Sequence, residues 1–323
     1  MAFRTTLEHP SEAFPISYTD SILSMGSCFA VHMAERLAQR KFNIQNNPFG
    51  ILYNPISIAQ NLELLASERT FSEVDLFEYQ SLWHSFAHHG AFSAPSPTDS
   101  LDLINTALQQ ARAKLQQTNT LILTLGTAFV WKEKETQNVV ANCHKLPANN
   151  FTRTCCTVDE IVAALSKVVE AYQEINPSLR CLISVSPVRH LRDGMVNNQL
   201  SKASLILAAH TLTKKLANVF YFPAYEMMMD DLRDYRFYNS DMLHPSALAV
   251  DYIWSFFQQH FFQENTLEQI HAIERILKAV QHRPLYPDSL AQQQFKAKTL
   301  QQITLLEQKY PDLSFLEEKE KLK

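Results

Sequence analysis

Four short apolar runs recur along the chain, and each is followed by a segment with helical periodicity. The runs are SILSMG (21–26), TLILTLG (120–126), RCLISVSPV (180–188) and VFYFPAY (219–225). Continuous rather than alternating apolarity is typical of strands that are buried on both faces, as in a parallel sheet. Because strands that alternate with helices imply right-handed βαβ crossovers, the pattern predicts a doubly wound α/β sheet.

The segments between these runs carry helical signals. The segment after Ser27 has two apolar stripes, namely Phe29, Met33 and Leu37, and Ala30, Ala34 and Ala38. Residues 157–173 begin with TVDE, a capping box in which Thr157 and Glu160 are three residues apart. Residues 198–217 and 246–262 are also amphipathic. Each of these segments is predicted to be a helix.

Three regions depart from this alternation. Residues 129–145 indicate a β-hairpin, and residues 71–97 indicate a long, irregular surface insertion that could cover a site. Beyond residue 264, two helical segments (265–283 and 289–310) flank the break PLYPD. We therefore expect a catalytic domain over 1–263 and a helical C-terminal extension over 264–323. The extension would pack on the domain or form an oligomer with another subunit.

Composition narrows the class of protein. The 323 residues are 46% hydrophobic and 19% charged, and the net charge of −4 favours neither nucleic-acid nor membrane partners. The sequence shows no secretory signal and no membrane span, so a cytoplasmic protein is expected. The five cysteines are irregularly spaced, which argues against a disulfide framework and a CxxC-type zinc site. No cofactor motif is evident.

The stretch GSC at 26–28 could carry a nucleophile. An acyl-transfer enzyme on such a sheet needs a nucleophile on a tight turn, oxyanion donors, a base, and a group that orients the base. Ser27 would expose its hydroxyl at the start of a helix, where the backbone N–H of Ser27 or Cys28 would face an oxyanion. Alternatively, Ser27 only caps the helix. Cys28 is the rival nucleophile, since a helix N-terminus activates a thiolate.

The other parts of such a site have candidates further along the chain. Gly50 and the pair Gly126–Thr127 could supply oxyanion donors, although each could equally be an ordinary turn. Asp241 and His244 are three residues apart, a spacing that lets a carboxylate orient an imidazole. The alternative is a loop histidine with an Asx-turn aspartate.

Histidines and cations elsewhere allow further interpretations. His84, His88 and His89, together with the stretch Asn142–His144, raise the question of a metal site, although no metal motif is complete. Arg189 and His190 follow a predicted strand, and with His144, Lys202 and Arg236 they could bind an anionic or hydroxyl-rich group. The alternative is a structural network that includes carboxylates.

Several strings, in one order, resemble the GSCFA-domain family, a branch of the SGNH (GDSL-like) hydrolase superfamily. They are GSCFA (26–30), NPFGILYNP (47–55), TLGTAFVW (124–131), ANCHK (141–145), SVSPVRH (184–190), SK (201–202), YFPAYE (221–226) and DLRDYRFYNSDMLHPS (231–246). The resemblance implies a three-layer α/β/α, flavodoxin-like (SGNH hydrolase) fold with about five parallel strands.

The resemblance also implies roles for particular residues. Ser27 would be the nucleophile, and Asp241 and His244 would be the DxxH pair. Gly50 and Gly126–Thr127 would correspond to the second-block and third-block donors. The chain departs from the pattern in two ways: Gly26 replaces the acidic residue before the serine, and Thr127 stands where an asparagine is usual, unless Asn54 or Asn142 takes over.

The function implied is hydrolysis or transfer of a small O-acyl group, carried by a carbohydrate or a similar small-molecule ester. Two other functions stay open. One is a binding module that has lost turnover, which the two departures favour. The other is a metal-dependent enzyme that uses the histidine clusters.

Overall fold

The computed structural model describes residues 5–7, 14–282, 285–286 and 288–322. Parts of the N-terminal segment and of the PLYPD break lie outside these residues. The strands are β1 (Ser21–Gly26), β2 (Asn43–Asn46), β3 (Phe77–Tyr79), β4 (Leu82–His84), β5 (Thr120–Leu125), β6 (Phe129–Glu133), β7 (Val139–Val140), β8 (Phe151–Cys155), β9 (Arg180–Val185) and β10 (Val219–Phe222). The α-helices are α1 (Cys28–Gln39), α2 (Pro55–Ala66), α3 (Pro97–Gln117), α4 (Val158–Ile175), α5 (Met195–Lys215), α6 (Ala224–Glu226), α7 (Ala247–Phe261), α8 (Glu264–Gln281), α9 (Leu290–Lys309) and α10 (Leu316–Leu322).

Within the described residues, a five-stranded parallel sheet lies at the centre, in the order β10-β9-β5-β1-β2. The carboxyl ends of β1 and β5 lie side by side, because Gly26 is in register with Thr124. This edge is where ligands bind in open parallel sheets. The predicted α/β architecture is confirmed, and the four apolar runs form β1, β5, β9 and β10.

Helices cover both faces of the sheet, because successive side chains of each strand point to opposite faces. Leu23 and Met25 of β1 face a core shared with α2, α3, α4 and α5. Ile22 of the same strand faces a second core, built largely from α1 and the aromatic residues of α7. Three α/β/α layers result.

The predicted helices are present with small shifts at their ends. Thr157 and Glu160 form the capping box at the start of α4. The two stripes after Ser27 become the buried side of α1, except that Ala38, at the end of the second stripe, is exposed. Strand β2 was not predicted because its sequence, NIQN, is polar. It is an edge strand that pairs only with β1, so it needs little apolar surface.

The regions outside the central sheet form two small sheets. As predicted, 129–145 contains an antiparallel hairpin, β6–β7, to which β8 adds a third strand. The insertion 71–97 holds the short pair β3–β4. Most of it lies at the surface, as predicted, but it is not irregular throughout, and His84 and His88 are buried within it.

The C-terminal helices α8, α9 and α10 form a core of their own, centred on Ile273, Ile303 and Phe315. This core also receives Tyr18 from the N-terminal segment. None of the helices in the described ranges has the length and apolarity needed to cross a membrane.

Candidate active site

A sharp turn joins β1 to α1 at the carboxyl edge of the sheet. Gly26 has a φ of +144°, and a Cβ there would lie 2.2 Å from the Thr124 carbonyl oxygen. Only glycine fits so close a backbone approach with this conformation. The Gly26 N–H donates to Asn47 Oδ1 at 2.8 Å, and the Ser27 N–H donates to the Thr124 carbonyl at 3.1 Å. These bonds hold the turn at the end of β5.

Ser27 and Cys28 have different surroundings in this turn. Ser27 is fully buried, and its Oγ accepts a hydrogen bond from the Phe29 N–H at 3.3 Å as the N-cap of α1. Cys28 is the first residue of α1 and is only partly buried. Burial raises the pKa of its thiol, whereas the backbone N–H groups of Cys28 and Phe29 and the Lys202 ammonium act to lower that pKa. The thiol is therefore the more accessible of the two predicted nucleophiles.

Three of the expected backbone oxyanion donors, the N–H groups of Gly50, Gly126 and Thr127, are already hydrogen-bonded within the protein. The Gly50 N–H donates to the Asn47 carbonyl at 2.8 Å. The N–H groups of Gly126 and Thr127 both donate to the Tyr53 carbonyl, at 2.8 and 2.9 Å. The loop 47–53 therefore closes over the ends of β1 and β5 and occupies these donors.

The side chains of Thr127, Asn54 and Asn142 are also bound locally. Thr127 Oγ1 lies 3.1 Å from Ser201 Oγ and accepts from the Phe129 N–H. Asn54 caps α2 by accepting from the Ser57 N–H at 2.7 Å. Asn142 Oδ1 accepts from the His144 N–H at 2.9 Å. Each of the three supports a turn or a helix end.

Asp241 and His244 form a pair on the loop before α7. His244 Nδ1 lies 2.6 Å from Asp241 Oδ2, and the N–H groups of Leu243 and His244 donate to Asp241 Oδ1 at 2.8 and 3.0 Å. These backbone bonds, followed by the bond from the His244 ring, lower the pKa of Asp241 to about 2. The carboxylate stays ionised and orients the imidazole.

The pair lies near enough to α1 for electrostatic interaction with its first residues, although no hydrogen bond in the described part of the chain joins His244 to Ser27 or Cys28. Burial raises the pKa of the Cys28 thiol and the negative charge of Asp241 adds to this rise, while burial lowers the pKa of His32 on α1 and His244 adds to that decrease. In structures without substrate, catalytic hydrogen bonds are often long and tighten only in the complex.

Arg189 holds the loop that carries the pair. Its N–H donates to the Leu243 carbonyl and its guanidinium to the Met242 carbonyl, both at 3.1 Å. The guanidinium also lies 5.6 Å from the ring centres of Tyr235 and Tyr238. A cavity of about 220 Å³ opens beside these side chains. Arg189 therefore links the segment that follows β9 to the loop that carries Asp241 and His244.

Lys202 lies beneath the site and is almost completely buried. Its Nζ donates to the carbonyls of Gly126 and Ser186, both at 2.7 Å, and so connects the segments that follow β5 and β9. Burial lowers its pKa to about 7. The sequence does not identify Tyr53, whose carbonyl accepts from the N–H groups of Gly126 and Thr127. Every residue has a backbone carbonyl, so the residue type cannot reveal which one acts as an acceptor.

The histidines of the insertion lie together but are hydrogen-bonded to the protein. His84 bonds to Ser93 Oγ at 2.7 Å and to the Tyr79 carbonyl at 3.0 Å, and His144 Nε2 lies 2.8 Å from the Ser85 carbonyl. Among the described residues, no group of three or more His, Cys, Asp and Glu side chains is arranged to hold a metal ion. His144 thus lies with this cluster, where burial lowers its pKa to about 4.

A larger cavity, about 520 Å³, lies elsewhere, where α2 and the β6–β7 hairpin approach each other. Its lining includes Asn61, Arg69 and Glu133 and contains none of the predicted site residues.

Two solved structures are similar to this chain at low identity. One is a protein from Streptococcus pneumonia provisionally identified as a platelet activating factor, with a TM-score of 0.39, 12% identity, and coverage of 77% of this chain and 85% of the other. The second is a carbohydrate esterase family 3 protein from Talaromyces cellulolyticus, with a TM-score of 0.36, 8% identity, and coverage of 79% and 99%. Likeness at this level carries no argument about activity.

Sequence comparison is more specific. No curated protein matches the chain. The model of the GSCFA family matches residues 21–257, a span that includes the turn, the loop 47–53 and the Asp241–His244 pair. A second model, described as the C-terminal domain of GSCFA domain proteins, matches residues 273–323. The chain therefore belongs to the GSCFA family.

Proposed function

We propose that the protein is an SGNH-type acyl hydrolase or acyltransferase that acts on a small O-acyl ester. The observation that carries the proposal is the Asp241–His244 pair, with 2.6 Å between carboxylate and imidazole, on a loop close enough to the β1–α1 turn for the Asp241 charge to act on Cys28. His244 Nε2 would take the proton of the nucleophile, which attacks the ester carbonyl, and would then give that proton to the leaving oxygen. Water or a second acceptor would release the acyl group.

The nucleophile has two candidates, which differ in exposure. Ser27 is the residue predicted from the sequence, but its hydroxyl is fully buried and caps α1. Cys28 is partly exposed; burial and the Asp241 charge raise the pKa of its thiol, and the backbone N–H groups of Cys28 and Phe29 at the start of α1 act in the opposite direction. These differences favour Cys28, with Ser27 as the helix cap beneath it.

The cavity beside Arg189 is the space that we assign to a short acyl group; its lining includes neither Cys28 nor His244, but it adjoins the loop that carries the pair. Its volume of about 220 Å³ suits a few heavy atoms, and it is lined by both cationic and aromatic side chains. An acetylated sugar or a similar metabolite is consistent with this lining.

A second candidate function is a binding module that has lost turnover. The observation that favours it is that the N–H groups of Gly50, Gly126 and Thr127 all donate within the protein, which leaves the expected oxyanion hole incomplete.

Trapping of the acyl-enzyme tests the proposal. Protein mixed with p-nitrophenyl acetate is quenched in acid, and the acetylated peptide is mapped by mass spectrometry. Acetylation of Cys28, removed by neutral hydroxylamine as a thioester would be, is the expected result, and His244→Ala should abolish it. Cys155→Ala is the matched control because Cys155 is an exposed, free cysteine outside the site.

The alternatives give different outcomes. A hydroxylamine-resistant adduct on Ser27 would return that residue to the role of nucleophile. Folded protein with no adduct on either residue and no release of p-nitrophenol would favour the binding module.

A further inference from the structure

Three of the groups expected to bind the oxyanion are occupied. The backbone N–H groups of Gly126 and Thr127 donate to the Tyr53 carbonyl, and the Gly50 N–H is held within its own turn. The Thr127 hydroxyl, which stands where an asparagine amide is expected, bonds to a serine of α5. A negative oxygen that forms beside Cys28 therefore needs a donor from elsewhere, in addition to the N-terminus of α1.

Tyr53 lies at the end of the loop that closes over the carboxyl edge of the sheet. Its carbonyl accepts from the N–H groups of Gly126 and Thr127 at 2.8 and 2.9 Å. The N–H of the preceding residue, Leu52, donates to the Gly26 carbonyl at 3.1 Å. These bonds join this part of the loop to the ends of both β5 and β1. The backbone of Tyr53 is therefore held beside the turn that carries the two candidate nucleophiles.

The Tyr53 side chain packs against the protein but is also accessible. Its ring lies edge-on to the His190 ring, with centres 5.4 Å apart, and the His190 N–H donates to Asn198 Oδ1 at 2.8 Å. Tyr53 nevertheless keeps 40% of its surface exposed, so a substrate can reach it. Its hydroxyl makes no hydrogen bond to any residue that the structure describes. The phenol is therefore free to donate to a ligand.

The same hydroxyl interacts electrostatically with Cys28. Burial raises the pKa of Tyr53, and a negative charge on Cys28 adds to this rise. Since the interaction between two charges weakens with distance, the phenol lies in the neighbourhood of the thiol. The raised pKa also keeps the phenol protonated at neutral pH, which is the state that donates a hydrogen bond. Tyrosine hydroxyls are among the side-chain groups that form oxyanion holes.

We infer that Tyr53 is the missing oxyanion donor, and that its hydroxyl binds the carbonyl oxygen of the substrate. This role rests on the proposed acyl-transfer function. His244 takes the proton of the Cys28 thiol, and the sulfur bonds to the carbonyl carbon. The π electron pair moves to the oxygen, which accepts the hydrogen bond from Tyr53, and Tyr53 keeps its proton. When the intermediate collapses, the carbonyl re-forms, the bond to the leaving oxygen breaks, and that oxygen takes the proton held by His244.

Kinetics with p-nitrophenyl acetate test this role. Tyr53→Phe removes only the hydroxyl and keeps both the ring beside His190 and the backbone carbonyl, so we expect kcat to fall by about 100- to 1,000-fold with little change in KM. Tyr286→Phe is the matched control, because Tyr286 is exposed between α8 and α9. Alkylation of Cys28 by iodoacetamide should proceed at the wild-type rate in Tyr53→Phe, because it forms no oxyanion.

A pH profile separates hydrogen-bond donation from a purely structural role. A fluorinated tyrosine placed at position 53 keeps the ring and the hydroxyl but makes the phenol more acidic. Because only the protonated hydroxyl donates, kcat of the fluorinated protein should fall at a lower pH than kcat of the wild type. A packing role would leave the two pH profiles the same, so coincident profiles would overturn the inference.

The remaining outcomes distinguish this role from the proposed function. If the wild-type protein neither releases p-nitrophenol nor forms an acyl-enzyme, the proposed function fails, and the inference fails with it. Wild-type turnover that persists unchanged in Tyr53→Phe sinks the inference alone. A loss in the alkylation rate of Cys28 as large as the loss in kcat would also overturn it, since the substitution would then act on the nucleophile.

Discussion

The aromatic side chains around His88 bury its imidazole and lower the pKa of this ring. The side chain is fully buried, with Nδ1 2.9 Å from Ser85 Oγ. Three phenylalanine rings contact it with centres 4.8 to 5.3 Å away, namely Phe49, Phe71 and Phe92. Burial, assisted by His144, lowers the pKa of His88 from 6.5 to about 3.

This shift predicts how stability depends on pH. The unfolded chain takes up a proton at His88 as pH falls below 6.5, whereas the folded protein does not until the pH nears 3. Unfolding therefore binds a proton in this window. As a result, the free energy of unfolding falls by about 1.4 kcal/mol for each unit by which the pH is lowered. Between about pH 7.5 and about pH 4.5, His88 should remove about 3 kcal/mol of stability.

The perturbation is His88→Phe, which fits the aromatic surroundings and cannot be protonated. Loss of the bond to Ser85 costs about 1 kcal/mol at either pH, so it cancels in the comparison. Urea unfolding followed by circular dichroism at both pH values gives the two changes. We expect the wild type to lose about 3 kcal/mol more than the variant does.

His271→Gln is the matched control, because His271 is exposed on α8 and should leave the wild-type pH response intact. Equal losses in wild type and His88→Phe would refute the reasoning, since they would mean that burial does not keep His88 neutral.

Other substitutions test separate parts of the fold and site. Gly26→Ala would place a Cβ 2.2 Å from the Thr124 carbonyl oxygen, at a residue whose φ is +144°. It should lower the free energy of unfolding by at least about 3 kcal/mol or prevent folding. A variant as stable as the wild type in thermal melts would contradict this turn geometry. Thr157→Ala removes the capping box of α4 and should cost about 1 kcal/mol in urea unfolding. Phe315→Ala, in the core of the C-terminal helices, should cost about 3 to 5 kcal/mol and speed hydrogen exchange in α8 and α9; unchanged exchange there would contradict a shared core. Burial lowers the pKa of Lys202 from 10.5 to about 7. Between these two pH values unfolding binds a proton, so the free energy of unfolding rises with pH. Lys202→Met should abolish this rise, which urea midpoints measured at several pH values would show.

Much of the fold could be predicted from local patterns. The buried strands β1, β5, β9 and β10 have continuous apolar runs, because both faces of each strand are covered by helices. The start of α4 could be predicted from a spacing of three residues, since both partners of a capping box lie in the same turn. Strand β2 could not, because its polar sequence becomes a strand only by pairing with β1.

Some contacts of the candidate site could also be predicted from local sequence, whereas others depend on tertiary structure. The Asp241–His244 contact joins residues three apart and was readable from their spacing. The occupied N–H groups at Gly126 and Thr127 depend on the Tyr53 carbonyl, more than seventy residues earlier in the chain. His190 and Ser27 both approach Gly126, and only the folded sheet brings these three distant parts of the chain together.

Residue types and short spacings therefore predicted which elements form and which side chains could react. The fold decided which of those groups are buried, exposed or already hydrogen-bonded, as at Ser27, Cys28 and Thr127. The physical reason is that burial and hydrogen-bond occupancy depend on every element packed around a group, and most of those elements are distant along the chain.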